Sequence, residues 1–451
     1  PGRVIMADAG AIEVIAQKLR SPDKEAGLDA FALLCGPAGR SAYGQRHEAS
    51  MQGCVSSVAQ CLASQSMEIS GRAAAVIRDL SSDSGCWEPI KQFALPKLSQ
   101  VLNMEQHLNN DEVDSVDLVV NASITIANMA LLEEHCNIVL ANKGVAALTS
   151  LLNVRTNNVV MEGMLKRSVT QEDDSFTVIS AAMKALAALA TSSEPCRTAI
   201  VREGCLTFLD HATNRKSAGP VLKVLDHSID GGKINGKKID LNKGLESSNN
   251  NSNSNGGGDG GADDFIQSQK QNTVQNAIAL VKAIANDSRL RLALVDCQES
   301  MSIILRLPDV NGNKELKVKC TDILLNIVRD GPCAALVWNE VQTKGDFNIA
   351  FKLLSIGDAT VKARACATIK SLCTPKIPGQ APRVSAKQLL EDNVASNLVG
   401  VLASAMTEID ETSRKAQDTA AECVTIMCGE PEAHAILLEA GIADVLPLVL
   451  T

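Results

Sequence analysis

The sequence predicts an all-α protein, a right-handed superhelical solenoid of about eight or nine helical repeats with one disordered internal loop. Three observations predict this fold: a recurring phrase, a nearly regular spacing between its copies, and a core composition of small aliphatic residues. In each phrase a helix rich in Ala and Leu precedes a polar turn, an apolar segment that ends in Gly, and a second Leu-rich segment. Self-similarity at a fixed period is the sequence sign of a repeat architecture.

The clearest copy of the phrase is Ala185–Ala190 followed by Ala199–Gly204. A second copy is Ile126–Ala130 followed by Ile138–Gly144, and a third ends in Ala435–Gly441. These copies have the same order of helix, turn and Gly. The order and the spacing therefore repeat together, as expected if each copy is one structural unit.

One position per repeat, placed just before the apolar residue that ends the helix, serves as an index position. The index positions are Leu33, Asp79, Asn128, Ala188, Ala283, Asn326, Ser371 and Ile426. Successive gaps are 46, 49, 60, 95, 43, 45 and 55 residues. The shortest match the roughly 40–47-residue period of two- and three-helix repeats. Three longer gaps contain predicted insertions, namely Gln106–Asp117, Val154–Phe176 and Pro375–Ser385.

The longest gap contains a segment of different composition. From Asn214 to Asp264 the chain is rich in Gly, Asn, Ser and Lys. Such a segment buries too little apolar area to offset its ordering entropy, so a disordered loop is predicted. The predicted domain organisation is repeats over 1–213, the loop over 214–264 and repeats over 265–451. The alternative is that the gap contains one degenerate repeat.

Each index position lies at the end of a predicted helix. The predicted helical segments include Gly27–Leu34, Ser70–Leu80, Ser180–Ala190, Asn276–Ala285 and Lys362–Leu372. They lack interior Pro and have apolar residues at three- and four-residue spacing. A repeated Gly is predicted to stop a helix and open a turn. Its copies are Gly10, Gly144, Gly204 and Gly441.

This pattern resembles the armadillo-repeat superfamily, and it covers nearly the whole chain except 214–264. HEAT repeats are the nearest rival, and the Gly before the second apolar segment favours armadillo. The resemblance implies a concave surface lined by the last helix of each repeat. It also implies that Asn at the index position can clamp the backbone of an extended peptide; Asn128 and Asn326 match. The Trp that importin-alpha has four residues earlier is replaced by Ile124 and Asp322, which argues against importin-type binding of nuclear signals.

Composition narrows the function classes. The net charge is −9, so nucleic acid binding is not expected, and no 18-residue apolar run predicts membrane insertion. The fourteen cysteines are scattered without a Cys-x-x-Cys motif, which indicates a reducing compartment. We expect a cytoplasmic protein, with the nucleus open. Because the chain begins at Pro1 and ends at Thr451, both inside repeat patterns, a fragment of a longer protein is expected.

No motif predicts catalysis, a cofactor or a metal. Gly231–Lys237 has the spacing of a phosphate-binding loop, but Lys238 stands where the hydroxyl residue belongs. Asp309–Asn313 resembles the start of a calcium loop with its Gly misplaced. The six histidines form no close pair, and His434 occupies a turn position equivalent to Arg197. We therefore do not expect this chain to be an enzyme.

The candidate site is a peptide-binding groove. Positions 0, −4 and −7 from the index share one helical stripe. Its polar residues are Arg72, Asn121, Asn276, Lys319 and Arg364 at −7, and Asp79, Asn128, Asn326 and Ser371 at 0. The cations Arg72, Lys319 and Arg364 favour an acidic or phosphorylated ligand. The competing interpretation is an ordinary solvated face.

The predicted function is a protein–protein interaction scaffold or adaptor that binds an extended segment. This function follows from the resemblance in fold. Two alternatives remain: an adaptor that grips a folded partner such as a small GTPase or a heat-shock protein, and the regulatory region of a larger enzyme. The identity of the protein partner and the oligomeric state stay open.

Overall fold

The structure is a computed structural model. It describes residues 5–6, 9–21, 24–35, 53–103, 113–162, 169–210, 215–229, 260–307, 314–344, 354, 359–374, 394–404 and 411–449. The chain divides into two compact units. Unit 1 comprises Pro1–Cys205, Gly219–Val224 and Asn255–Leu280, and unit 2 comprises Leu206–Ala218, Leu225–Ser254 and Val281–Thr451.

Unit 1 is built from helices in the repeated order of a short helix, a second helix and a long helix. Its helices are α1 (Ala11–Arg20), α2 (Lys24–Cys35), α3 (Cys54–Cys61), α4 (Met67–Ser81), α5 (Leu95–Leu102), α6 (Val113–Met129), α7 (Glu133–Ala141), α8 (Gly144–Glu162), α9 (Val169–Ser192) and α10 (Glu194–Arg202). Short helical turns over Ser84–Ala94 precede α5. The long helices α2, α4, α6 and α9 pack side by side in chain order.

Helices α11 (Pro220–Ile229) and α12 (Gly260–Asn286) contribute residues to both units. Unit 2 continues with the same kind of repeat. Its strands and helices are β1 (Thr207–Asp210), β2 (Arg215–Ala218), α13 (Arg291–Leu294), α14 (Gln298–Arg306), α15 (Lys314–Arg329), α16 (Gly331–Lys344), α17 (Ala359–Cys373), α18 (Val394–Ser404), α19 (Glu411–Met427), α20 (Pro431–Glu439) and α21 (Ile442–Val449). Its long helices α15, α17 and α19 also pack in chain order.

The eight index positions therefore all lie in long helices, and α20 and α21 begin a further repeat. The all-α repeat and its number are confirmed. The five helical segments predicted from sequence lie inside α2, α4, α9, α12 and α17. Among the buried residues, Ala122, Ala182 and Ala185 lie where α6 and α9 pack together. Such small side chains let the two helices approach closely.

The predicted insertion Val154–Phe176 is largely helical, since α8 continues to Glu162 and α9 begins at Val169. The predicted loop over 214–264 is too wide at both ends, since it contains β2, α11 and the start of α12. The polar, low-complexity composition of this segment did not indicate these elements. The remainder, 230–259, lies outside the described residues, as do Pro375–Ser385, the loop Gly231–Lys237 and Asp309–Asn313.

The strands β1 and β2 form an antiparallel hairpin that was not predicted. The chain segments before and after the hairpin lie close together in unit 1, where the Val221 N–H donates to the Cys205 carbonyl at 3.2 Å. Gly219 makes this close approach possible, because a Cβ there would lie 2.5 Å from the carbonyl oxygens of Gly204 and Cys205. Within its described residues, the long gap thus contains one hairpin, inserted at the turn between α10 and α11. The helices described in this gap, α10, α11 and α12, make up one three-helix repeat.

The repeated Gly lies at the turn before the second helix of a repeat. Gly10, Gly204 and Gly441 have φ of 81°, 81° and 86°, so their predicted role as turn residues is confirmed. Gly144 is an exception, because Lys143 takes the positive φ of 59°. Gly144 instead starts α8 against α7, where a Cβ would lie 2.6 Å from Val139 Cγ1.

A side-chain N–H from the following helix or turn caps the carbonyl end of the long helix in five repeats. The donor and acceptor pairs are Trp87 Nε1 to Ser81 O (2.8 Å), His135 Nδ1 to Met129 O (2.9 Å), Arg197 Nη1 to Ala190 O (2.7 Å), Arg291 Nε to Ala285 O (2.7 Å) and His434 Nε2 to Cys428 O (2.7 Å). These bonds satisfy carbonyls that lack a partner at a helix end. Arg197 and His434 are equivalent, as predicted.

Candidate functional site

The long helices of each unit expose one stripe, which we call the ladder face. On α4 it contains Glu68, Arg72 and Asp79, whereas Ala73 and Ile77 are buried on the opposite side. The index position and the positions one, four and seven residues before it lie on this face, written 0, −1, −4 and −7. The predicted stripe is thus solvent-facing in the described part of α4, and it is described below for each unit separately.

In unit 1 the predicted cation Arg72 is neutralised. Its Nη1 lies 2.8 Å from Asp29 Oδ1 on α2, and its Nη2 lies 2.6 Å from Glu68 Oε1 on the preceding turn. Burial lowers the pKa of Arg72, but the two carboxylates outweigh this effect and raise the pKa above its usual value. The two carboxylates leave this arginine with little attraction for a further anion.

Arg78 is a second arginine on the same helix. Its guanidinium donates to Asp79 Oδ1 at 2.8 Å and, through Nη1, to Asn121 Oδ1 on α6 at 2.7 Å. Asn121 is only 6% exposed, so its side chain is a structural acceptor. The unit 1 cluster is Asp29, Glu68, Arg72, Arg78 and Asp79. Two guanidinium groups meet three carboxylates there, which leaves one net negative charge.

In unit 2 the balance is reversed around Asp322 on α15. Lys282 Nζ from α12 lies 2.7 Å from Asp322 Oδ2, and Arg364 Nε from α17 donates to Asp322 Oδ1. The unit 2 cluster is Lys282, Asp322 and Arg364, and it joins three consecutive long helices. Two cations share one carboxylate, which leaves one net positive charge.

Lys319, the third predicted cation, lies one turn before Asp322 on α15. Its Nζ is 2.6 Å from Glu315 Oε1, and this hydrogen bond lowers the pKa of Glu315. The Glu315 side chain is 71% exposed. A solvent-exposed pair of this kind contributes little to stability, so Lys319 can exchange Glu315 for another anion.

The ion pairs follow the repeat. An arginine at −7 contacts a carboxylate at −4 of the preceding repeat in both Arg72–Asp29 and Arg364–Asp322. A lysine at −1 contacts a carboxylate at −4 of the following repeat in Lys282–Asp322. Lys370–Glu422, at 2.5 Å, has the same geometry. Sequence reasoning missed the −1 position, although Arg78, Lys282 and Lys370 all occupy it and gave a visible signal.

The two index asparagines have the same orientation. Asn128 Nδ2 donates to Ser81 Oγ of the preceding long helix at 2.9 Å, and Asn326 Nδ2 donates to Asn286 Oδ1 at 2.8 Å. Within the part of the chain that the structure describes, neither amide oxygen accepts a hydrogen bond. An amide held in place through its nitrogen presents its oxygen as a fixed acceptor.

The remaining predicted residues serve the helices themselves. Asn276 Nδ2 donates to the Ser180 carbonyl on α9 at 3.4 Å, within unit 1. Ser371 Oγ donates to the Ala367 carbonyl of its own helix at 2.8 Å. Among the predicted residues of unit 1, Asp79 and Asn121 share a partner in Arg78. Unit 1 also contains Arg72 and Asn128, and unit 2 contains Lys319, Asn326, Arg364 and Ser371. These eight residues and Asn276 make up the predicted groove.

In the described ranges, no three His, Cys, Asp or Glu side chains come together in the manner of metal ligands. In the same ranges, no helix has the length and apolar character that crossing a bilayer requires.

Comparison with solved structures identifies the fold. An engineered protein has a TM-score of 0.52 and 18% identity to this chain, and the match covers 98% of this chain and 94% of that one. A designed armadillo repeat protein has a TM-score of 0.45 and 16% identity, covering 70% of this chain and 99% of its own. A designed armadillo repeat protein in complex with the peptide (KR)4 has a TM-score of 0.44 and 16% identity, covering 69% and 97%. No family model and no curated protein matches the chain.

The three-helix repeat and the full-length match to the engineered protein define the class of this chain. It has an armadillo-like repeat fold, built from helices and, within the described residues, one hairpin. At these identities the likeness concerns the fold alone, and any function has to be argued from the ladder faces.

Proposed function

We propose that this chain is a non-catalytic scaffold that holds an extended protein segment along its ladder faces, with acidic or phosphorylated residues of that segment bound in unit 2. The observation that carries the proposal is the pair of cations on Asp322. The fold offers repeated, equivalent positions on successive long helices, which suits a ligand that is itself repetitive, namely an extended backbone.

The index asparagines supply the backbone contact. Asn128 and Asn326 each expose an amide oxygen whose direction is fixed by a bond to the preceding helix. An extended segment has N–H groups along its length that are free to donate to such acceptors. Because this contact reads the backbone, it holds a segment of any sequence, and the neighbouring charges select among segments.

The two units differ in how their charged clusters attract or repel the acidic groups of a ligand. In unit 2, Lys282 and Arg364 keep N–H donors beyond those used on Asp322, since an ammonium has three and a guanidinium five. Their side chains are 31% and 30% exposed, so these donors remain accessible to a ligand. A phosphate or carboxylate beside them forms charge-assisted hydrogen bonds, which are about twice as strong as neutral ones. The unit 1 cluster, with its surplus carboxylate, repels the same group.

The test is a titration of a fluorescent peptide rich in Glu, with and without phosphoserine, followed by anisotropy. The variant Lys282→Gln/Arg364→Gln is expected to bind at least about tenfold more weakly than the wild type, equivalent to about 1.4 kcal/mol. Arg72→Gln is the matched control, because Arg72 occupies the same repeat position as Arg364. It is expected to bind as the wild type does, and circular dichroism confirms equal helicity.

Two results contradict the proposal. If the unit 2 variant binds the acidic peptide as tightly as the wild type, the Asp322 cations are not the binding site. If neither the wild type nor the variants bind acidic or neutral extended peptides, the ladder faces do not hold such segments. The chain would then act either as an adaptor that grips a folded partner or as the regulatory region of a larger enzyme.

A further inference from the structure

Two buried cysteines meet between consecutive repeats of unit 1. Cys136 on α7 and Cys196 on α10 each lie eight residues after an index position, Asn128 and Ala188. Both side chains are fully buried. Cys196 Sγ donates to the Cys136 carbonyl oxygen at 3.6 Å, and Cys136 Sγ donates to the Ala130 carbonyl oxygen at 3.5 Å. The two cysteines are therefore neighbours across the repeat boundary, although they are 60 positions apart in the chain.

The two thiols have different surroundings. Cys196 lies in the first turn of α10, where its N–H donates to the N-cap hydroxyl of Ser193 and Arg197 is the next residue. A helix N-terminus and a neighbouring guanidinium both stabilise a thiolate. Cys136 lies in α7, whose first turn carries Glu133 and Glu134. Cys136 also lies in the first turn of its helix, and Glu133 opposes a negative charge on both thiols, so Ser193 and Arg197 beside Cys196 make the pair asymmetric.

The thiol acidities follow the same asymmetry. The neighbouring Cys136 thiol lowers the pKa of Cys196; burial and Glu133 oppose this shift, and Ser193 and Arg197 add to it. The neighbouring Cys196 thiol, with burial, raises the pKa of Cys136. Of the described cysteines whose pKa is shifted, Cys196 alone is shifted downward. Burial raises the pKa of Cys205 in the same unit to about 12, for example.

From this contact geometry we propose that Cys136 and Cys196 form an oxidative modification site, at which a hydroperoxide converts the two thiols into a disulfide that links α7 to α10. The Cys196 thiolate attacks the peroxide, forming an S–O bond as the O–O bond breaks, and the departing oxygen leaves as water or an alcohol. The Cys136 sulfur then attacks the sulfenic sulfur, forming the S–S bond as the S–O bond breaks. The hydroxyl leaves as water with the Cys136 proton, so one hydroperoxide oxidises two thiols.

The reaction requires the two neighbouring sulfur atoms to approach to the S–S bond length of about 2.05 Å. The bond closes a loop of 60 residues and adds a covalent crosslink between two consecutive repeats. A crosslink across a long loop restricts the unfolded chain, so oxidation is expected to raise the melting temperature by several degrees.

The test oxidises the full chain with hydrogen peroxide at neutral pH, blocks free thiols by alkylation, digests without reductant and analyses the peptides by mass spectrometry. The expected product is a peptide pair joined through Cys136 and Cys196, and reduction removes it. The melting temperature of the oxidised wild type is expected to rise and to return after reduction. Cys136→Ala is expected to lose both the linked peptide and the rise.

Cys205→Ser is the matched control, because Cys205 is buried in unit 1 and touches Thr149 instead of a second thiol. It is expected to form the linked peptide as the wild type does. The proposal is overturned if Cys136 and Cys196 are both recovered as alkylated thiols while the exposed Cys428 is oxidised. The peptide map of the wild type decides this even where a variant folds poorly.

Discussion

The ladder faces of the two units place arginine at the same position of the repeat but differ in the charge they offer. Arg72 in unit 1 and Arg364 in unit 2 both contact an aspartate at −4 of the preceding repeat. Arg72 also contacts Glu68, whereas Arg364 shares its aspartate with Lys282. Two similar side chains thus belong to clusters of opposite net charge. Whether a cation on a ladder face favours anion binding therefore depends on the carboxylates that already contact it.

The neighbouring repeats explain the difference. Lys282 occupies −1 and finds Asp322 at −4 of the next repeat. Arg78 also occupies −1, but the −4 residue of its next repeat is Ile124, which offers no charge. Arg78 therefore pairs with the adjacent Asp79 and with Asn121. The −4 residue of the next repeat thus decides whether the −1 cation pairs with a carboxylate of that repeat or with groups elsewhere.

The largest expected effect on stability concerns Arg78. Arg78→Ala leaves the oxygen of the nearly buried Asn121 without its donor, which costs about 2 kcal/mol of unfolding free energy. Lys282→Ala in unit 2 is the matched change, and it costs less, because Arg364 still neutralises Asp322. Urea unfolding of both variants measures the difference. Equal losses would show that the two −1 cations have the same structural role.

The next prediction concerns the shared carboxylate. Asp322→Asn removes the charge that Lys282 and Arg364 share, so unfolding free energy falls by about 1 kcal/mol. The same variant is expected to bind an acidic peptide several-fold more tightly, because both cations lose their internal competitor. Asp29→Asn is the control in unit 1 and is expected to leave acidic-peptide binding unchanged. Weaker binding by Asp322→Asn would contradict the assignment of these cations as the anion site.

A smaller effect is expected at the backbone acceptor. Asn326→Ala removes the oriented amide oxygen beside the unit 2 cluster and is expected to weaken peptide binding by about 1 kcal/mol, or roughly fivefold. Ser371→Ala is a suitable control, because that hydroxyl already donates within its own helix. If the two variants bind alike, Asn326 is not a contact residue.

The smallest effect is expected for Arg72. Arg72→Gln breaks two surface ion pairs, each worth at most about 1 kcal/mol, so unfolding free energy changes by less than about 1 kcal/mol. The change becomes smaller still in high salt, where exposed pairs are screened. A loss that exceeds this and persists in high salt would show that Arg72 has a packing role.

The sequence was sufficient to predict the repeat and its number, because these depend on local periodicity. It predicted the −7 cations but not their partners. Arg72 and Asp29 are 43 residues apart, so the pairing depends on how successive repeats align. The hairpin β1–β2 also escaped prediction. Its second strand begins inside a segment whose polar composition indicated disorder, and its position depends on the close approach at Gly219.

The most direct test of the charge difference between the ladder faces maps where an acidic segment sits. A Glu-rich peptide with a benzophenone side chain is crosslinked to the wild-type chain under illumination, and the adducts are located by mass spectrometry. We predict adducts on α15 and α17, next to Asp322, which disappear in Lys282→Gln/Arg364→Gln. Adducts concentrated on α4 and α6, or unchanged adducts in the variant, would contradict the account.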